Sequence, residues 1–319
     1  MSTTGPSMTS LAKDYLDYRK QLGFGLSTVG QLLMQFAEYA DETGHRETVT
    51  TELAVRWAAL AKNASGSHRA CRLNVVRGFA KYRALFDPKT EIPPPGVFGP
   101  PYRRRTPYIF SCSEVAALLK AAQHLPPEGS LRPHTFSTFF GLLACTGLRH
   151  REARRLTRDD VDFKSRLLRI RETKFRKSRL VPLHDSTLTA LASYARVRDE
   201  FPSSARTDAF FVTLRGTPLS TSAAHWAFSR VREQLTWQDI GEGRRPRIHD
   251  FRHTFACRRL REWYEQGVDV NHAIVGLATY LGHADVNDTY WYLSATPELL
   301  ELAGSRFEQF AKSNSGDAP

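Results

Sequence analysis

The chain has 319 residues, enough for two compact domains, with 41% hydrophobic and 24% charged residues, values that exclude a disordered, collagenous or wholly coiled-coil protein. Lys and Arg number 45 against 33 Asp and Glu, a net charge of +12 that favours a polyanionic partner, of which nucleic acid is the commonest. No apolar run reaches the roughly 20 residues of a bilayer span, and residues 1–10 lack the apolar stretch of a secretory signal. The four cysteines (Cys71, Cys112, Cys145 and Cys257) show no C-x-x-C pairing. The expectation is a cytoplasmic protein in a reducing compartment, without disulfides or membrane contact.

In chain order, residues 8–86 read as all-helical, with helices over 10–22, 27–42, 51–62 and 67–86. In the last, Cys71, Val75, Phe79, Tyr82 and Phe86 recur at helical spacing as an apolar stripe. Arg69, Arg72, Arg77, Lys81 and Arg83 fall on the rest of the cylinder. Between Glu52 and Asp87 stand seven basic residues and no acidic one, whereas a merely solvated face mixes signs, so this helix is read as facing DNA. From Asp87 to Pro107 proline is dense, which disfavours helix and central strand alike; the segment reads as an extended linker ending in Arg103, Arg104 and Arg105. Beyond it come helices over 113–123 and 135–145, and short β segments over 167–171 and 178–182 around a basic turn. Further helices are expected over 185–200, 220–234, 248–265, 270–280 and 296–312.

Several chemistries are excluded. No glycine precedes a lysine, so there is no Walker-type phosphate loop, and neither G-x-G-x-x-G nor G-x-S-x-G occurs. His249 and His253 stand four apart, but no H-E-x-x-H and no third ligand accompany them, so no metal site is expected. The cluster Asp159, Asp160 and Asp162 could supply carboxylates to a two-metal nuclease; the plainer reading ends a helix and opens a turn. Four islands carry more polar chemistry than packing requires: Thr146–Glu152 around Arg149, Thr173–Lys177, His249–His253, and Leu281–His283 followed by Tyr290–Tyr292. A turn glycine ahead of Arg149 would present its fork and free N–H groups to an anion. Together the islands supply two arginines, a lysine, two histidines and a tyrosine. That set can hold a scissile phosphate, move protons and provide a nucleophile without metal.

With these residues the chain resembles the tyrosine recombinases of the phage-integrase family. The resemblance lies in TGLRHREARRL (146–156), TKFRKSRLVPL (173–183), HDFRHTFA (249–256) and LGHADVNDTYWY (281–292), in that order and at fitting spacing. It implies a mainly α fold with a small β-sheet or hairpin in the catalytic domain, in a two-domain C-shaped clamp. The domains would be a helical, SAM-like, core-DNA-binding domain over 1–87, the linker over 88–107 and the catalytic domain over 108–319. Arg149 and Arg252 would clamp the non-bridging oxygens and Tyr292 would attack phosphorus, leaving a 3′-phosphotyrosyl link. Lys174 would protonate the leaving 5′-oxygen, His249 would move the nucleophile's proton, His283 would hydrogen-bond the phosphate, and Glu152 would support Arg149. Neither metal, ATP nor any other cofactor is implied.

Two assignments have rivals. Tyr290 competes with Tyr292, and the resemblance, through the family's spacing from the Gly282-His283 pair, implies Tyr292 and leaves Tyr290 to packing. Lys177 competes with Lys174, and register against Leu180–Leu183 favours Lys174. Lysine is scarce here (only Lys164, Lys174 and Lys177 between Ala121 and Ala311), which suggests it was needed for a titratable proton. His150-Arg151 replaces the usual apolar-serine pair, and extra length around Trp263–His272 resembles enzymes borne on mobile elements. No room is expected for a further arm-binding domain. Competing functions are a type IB topoisomerase and a catalytically silent DNA-binding regulator on the same fold. The expected partners are double-stranded DNA, other copies of the chain in a tetrameric synapse, and other recombinases encoded on the same element. The final helix, with Leu299, Leu300, Leu302, Phe307 and Phe310, would dock either on a neighbouring protomer or on its own domain. The charge divides as +4 over 1–90, +13 over 91–268 and −5 over 269–319.

Overall fold

A computed structural model describes residues 5–61, 64–101, 106–171, 178–235, 237, 245–294 and 296–314, without the side chains of 306, 307 and 309–314. Lys174, Lys177, Arg103, Arg104 and Arg105 lie outside the described residues. The chain forms two compact units, residues 1–105 and 106–319.

The first unit packs α1 (Met8–Gln21), α2 (Ser27–Glu42), α3 (Thr51–Ala59) and α4 (Gly66–Arg83). Ser7, Thr50 and Ser65 each accept a first-turn N–H of the helix they open, satisfying donors a helix leaves unpaired. The buried face of α4 runs through Ala70, Leu73, Val76, Phe79 and Ala80. The expected stripe is therefore displaced: Cys71 and Phe86 are exposed, and Val75 and Tyr82 are half-buried. The reason is aromatic pairing. Tyr82 stacks on the exposed Tyr18 and also meets the buried Tyr15 and the exposed Phe86, so these rings associate at the rim, and of the expected stripe only Phe79 is buried.

The proline-rich segment lies along this unit through Pro101. Its backbone carbonyls take the donors that α4 offers: Arg77 Nε donates to Pro93 O (2.9 Å) and Cys71 Sγ to Pro101 O (3.3 Å). Glu91 is tied to the start of α3, accepting from Thr51 N (2.7 Å). Proline lacks a donor but keeps its carbonyl, so such a segment can lie against a donor-rich helix without forming one itself.

The second unit opens with α5 (Cys112–Ala122), where Ser111 and Glu114 form a reciprocal capping box. In α6 (Leu131–Thr146) the helix begins earlier than expected, because Pro133 stands in the first turn, where no intrahelical N–H is lost. Then follow α7 (His150–Arg154) and an antiparallel sheet of β1 (Val161–Asp162), β2 (Leu167–Ile170) and β3 (Arg179–Pro182). The register sets Leu168 opposite Val181 and Ile170 opposite Arg179. The Asp159–Asp162 cluster forms the short 3₁₀ turn and strand before it. Asp160 accepts from Thr157 N (3.0 Å) and pairs with Arg171 (2.6 Å), and Asp162 pairs with Arg169 (3.1 Å), which gives both carboxylates structural work.

The remaining helices are α8 (Asp185–Asp199), α9 (Thr221–Gln234), α10 (Asp250–Glu265), α11 (Val270–Leu281), α12 (Asn287–Tyr290) and α13 (Pro297–Asn314). One core gathers Phe139, Phe140, Phe211, Phe228 and Phe251; a second gathers Cys257, Leu260, Ile274, Leu281, Tyr292 and Leu299. Among the described residues no helix is long and apolar enough to cross a membrane.

Candidate active site

Three of the four polar islands meet where α6, α7, α10 and α11 end or begin; the fourth, Thr173–Lys177, lies outside the described residues. Gly147 follows α6 with φ +60°, and a Cβ there would lie 2.6 Å from Phe255, so only glycine fits this turn. The turn delivers Arg149 to the start of α7. The sequence predicts a free N–H here for an anion; instead the backbone N–H of Arg149 donates to Glu152 Oε2 (3.0 Å). The guanidinium is likewise held, with Nη1 donating to Glu152 Oε1 (2.9 Å) and Nη2 to Gly282 O (3.1 Å).

Arg252 lies on α10 and is 2% exposed. Its Nη1 donates to Gly147 O (3.0 Å) and its Nη2 to Leu281 O (2.7 Å). Burial, with Arg149 nearby, pushes its pKa down to about 10. Both arginines therefore use the C-terminal end of α11, whose last carbonyls have no intrahelical partner and carry partial negative charge. Gly282, at φ +71°, ends that helix, and His283 N donates back to Ala278 O (2.9 Å).

A third arginine completes the group. Arg179, the first residue of β3, donates from Nη1 and Nη2 to the two carboxylate oxygens of Glu152 (3.1 and 2.8 Å) and from Nε to Tyr280 O (2.7 Å). Burial pushes the Glu152 carboxyl up, but Arg179 and Arg149 more than offset that and hold it below the usual range. Sequence reasoning missed Arg179. Its signal was there, an arginine opening a strand beside the basic turn, in a chain so rich in arginine that it carried no contrast.

Tyr292 is 2% exposed, whereas Tyr290 is 38% exposed. The Tyr292 ring lies 5.5 Å from that of His253 and 6.2 Å from that of His283. Burial raises its pKa, against a hydrogen bond and a favourable charge from Arg252. His283 is oriented through Nδ1 and Thr289 Oγ1, 2.6 Å apart, and burial with Arg252 and Arg149 lowers its pKa to about 3. His249 stands just before α10 and is exposed at its surface, yet packing around it strips away much of its water. That desolvation, with Arg252 and Arg247, lowers it to about 4. His253 sits between His249 (4.8 Å) and Tyr292, its Nδ1 has no hydrogen-bond partner among the described residues, and burial beside His249 lowers it to about 3. The sequence offered His253 only as half of an unpromising metal pair; the structure puts it beside the tyrosine.

Of the expected residues, Arg149, Arg252, His249, His283 and Tyr292 come together in the second unit. The basic residues of α4 belong to the first. There Arg72 stacks on Trp57 (3.8 Å) and donates to its carbonyl (3.1 Å), Arg77 is held by Pro93, Arg69 and Arg83 are half-buried, and Lys81 is exposed.

Residues 110–298 match the family model described as the phage integrase family. The chain belongs to that family. It is 41% identical over 303 residues to "Putative integrase/recombinase y4rB" of Sinorhizobium fredii, covering 93% of this chain and 96% of the relative. It is 32% identical over 248 residues to tyrosine recombinase XerD of Corynebacterium glutamicum, covering 75% and 73% respectively. Among solved structures, the Tn1549 transposon integrase in complex with transposon right end DNA shares the fold, with a TM-score of 0.68, 16% identity and coverage of 96% of this chain and 99% of that one. So does the XerH site-specific recombinase bound to its palindromic difH substrate (TM-score 0.63, 18% identity, 95% and 85% coverage). The mainly helical fold with a small antiparallel sheet is thus that of the tyrosine recombinases, and the protein is an enzyme of that class, which cleaves and rejoins DNA.

Proposed function

We propose that this recombinase acts on double-stranded DNA at a specific site on a mobile element, with Tyr292 as nucleophile and Arg149 and Arg252 as the phosphate clamp. The observation that carries the reading is the convergence of three guanidiniums on one helix end, two of them also on the Glu152 carboxylate, beside a buried tyrosine. Three positive charges against Glu152 leave an excess of about two, which suits the two negative charges of a phosphorane.

In the proposed step, Tyr292 Oη forms a bond to phosphorus and the bond to the 5′-oxygen breaks. A phenol with a raised pKa is protonated at neutral pH, so a base is required. His249, neutral because its pKa is low, accepts that proton. Lys174, on the connection between β2 and β3, donates a proton to the leaving 5′-oxygen. His283, held by Thr289, hydrogen-bonds a non-bridging oxygen. The 3′-phosphotyrosyl bond keeps the phosphodiester energy, so attack by a 5′-hydroxyl reverses each transfer and rejoins the strand without ATP. The basic face of α4 and the arginines at 103–105 hold the duplex, and four copies assemble as a synapse.

The test is a nicked suicide substrate carrying an end of the encoding element. Wild-type protein and Tyr290→Phe are expected to form a covalent adduct and Tyr292→Phe none; an adduct with Tyr292→Phe overturns the nucleophile.

A further inference from the structure

We infer that Arg179 is a positioning residue for strand cleavage, holding Glu152 and the end of α11 so that Arg149 is aimed at the scissile phosphate. This rests on the proposed reading of Arg149 as a phosphate clamp.

The backbone of Arg179 is anchored by the sheet, where it pairs with Ile170. Its side chain is 11% exposed and all three of its nitrogens are engaged. Three of its five N–H groups are thus spent on protein acceptors, and its side chain is less exposed than that of Arg149, at 28%. Nε faces Tyr280 O while the Nη1/Nη2 edge faces both oxygens of Glu152. One planar group thereby fixes the carboxylate and the helix end relative to each other. Glu152 then holds Arg149 twice, through its backbone N–H and through Nη1. Arg149 also reaches Gly282 O, on the stretch of backbone that Arg179 holds through Tyr280. The approach is close: a Cβ on Gly282 would lie 2.8 Å from Arg179 Nη1. Lysine could supply charge at this place but not a two-edged fork. Without Arg179, Glu152 loses half of its hydrogen bonds and keeps only those to Arg149, the residue it is to hold in place.

The test compares cleavage by the full-length protein on two suicide substrates. One has an ordinary scissile phosphodiester; in the other a methylphosphonate replaces a charged non-bridging oxygen with a neutral methyl. Misaiming a clamp by about 1 Å typically costs about 100-fold, so Arg179→Gln is expected to slow diester cleavage by that order. On the methylphosphonate, where less charge needs clamping, its deficit against wild type should shrink to about 3-fold or less. Arg179→Lys should behave as Arg179→Gln, because the fork is lost with the charge retained. Glu152→Gln, nearly isosteric, should show the same dependence on substrate. Rates on the two substrates are compared within one preparation, so a smaller folded fraction does not alter their ratio. Equal deficits on both substrates, wild-type cleavage by Arg179→Gln, or full restoration by Arg179→Lys would each overturn the inference. Arg149→Ala serves as the control: if it cleaves the diester normally, the clamp reading itself fails, whatever Arg179 does.

Discussion

At the scale of single residues, the site depends on two glycines as much as on its charged groups. Gly147 adopts φ +60°, and its carbonyl accepts from Arg252 Nη1. Gly147→Ala adds about 1 kcal/mol of backbone strain. It also drives a methyl into Phe255, 2.6 Å away, an overpacking that typically costs about 1–3 kcal/mol. The expected outcome is a lower melting temperature together with slower cleavage, since the strained turn carries both Arg149 and the Arg252 acceptor. A second prediction concerns protons. His253 and His283 have pKa values pushed down to about 3, against an unfolded value near 6.5. Between those values the unfolded chain binds more protons than the folded one, so stability rises with pH across this window and falls as pH drops through it. Glu152, held below its ordinary range, acts in the same direction at the acid end. Chemical denaturation at pH 7 and at pH 5 should therefore give a lower unfolding free energy at pH 5, and His283→Gln should flatten that difference. An unchanged difference in that variant would show that the buried imidazole is not its source.

At the scale of elements, most helices and the hairpin were legible because caps and turn glycines mark their ends. Ser111 with Glu114 opens α5, Gly147 closes α6, and α2 occupies the span read from its periodicity. The face of α4 was not legible: aromatic residues at helical spacing look like a core stripe, yet here they pair among themselves at the rim. Nor was α12, whose four residues are too few to show a period. The five described catalytic candidates could be found in the sequence because each stands in a short motif. Arg179 and His253 also stand in such motifs, but their contacts with Glu152 and Tyr292 cross long stretches of chain, so only packing reveals them. The final helix illustrates the same limit, because an apolar face does not name its partner. Its start packs on its own domain: Leu299 is 1% exposed and lies in one cluster with Cys257, Leu260 and Tyr292. Leu299→Ala should cost about 2–5 kcal/mol by leaving a cavity, and because that cavity adjoins the tyrosine, cleavage should slow as well. Thermal unfolding and adduct formation measured side by side check this; normal values of both would mean that the contact carries little energy.

At the scale of the whole molecule, the charge of +12 is concentrated in residues 91–268, which carry +13, while the last 51 residues are acidic. Duplex DNA bound by such a surface releases condensed counterions, and the logarithm of the binding constant falls with the logarithm of salt concentration by about 0.9 per phosphate neutralised. If six or more phosphates are contacted, affinity should drop by about 1,000-fold or more between 50 and 200 mM salt. The basic residues of α4 should not respond alike when changed. Lys81 is exposed, so Lys81→Gln should reduce the salt slope by about one contact while the first unit stays folded. Arg77, bonded to Pro93 O, and Arg72, stacked on Trp57, hold their own unit together. Arg72→Gln and Arg77→Gln should therefore lower the melting temperature first. Fluorescence anisotropy across a salt series, with melting curves on the same proteins, separates the two behaviours. A slope unchanged in Lys81→Gln would remove that residue from the DNA-facing surface and shift attention to the linker arginines.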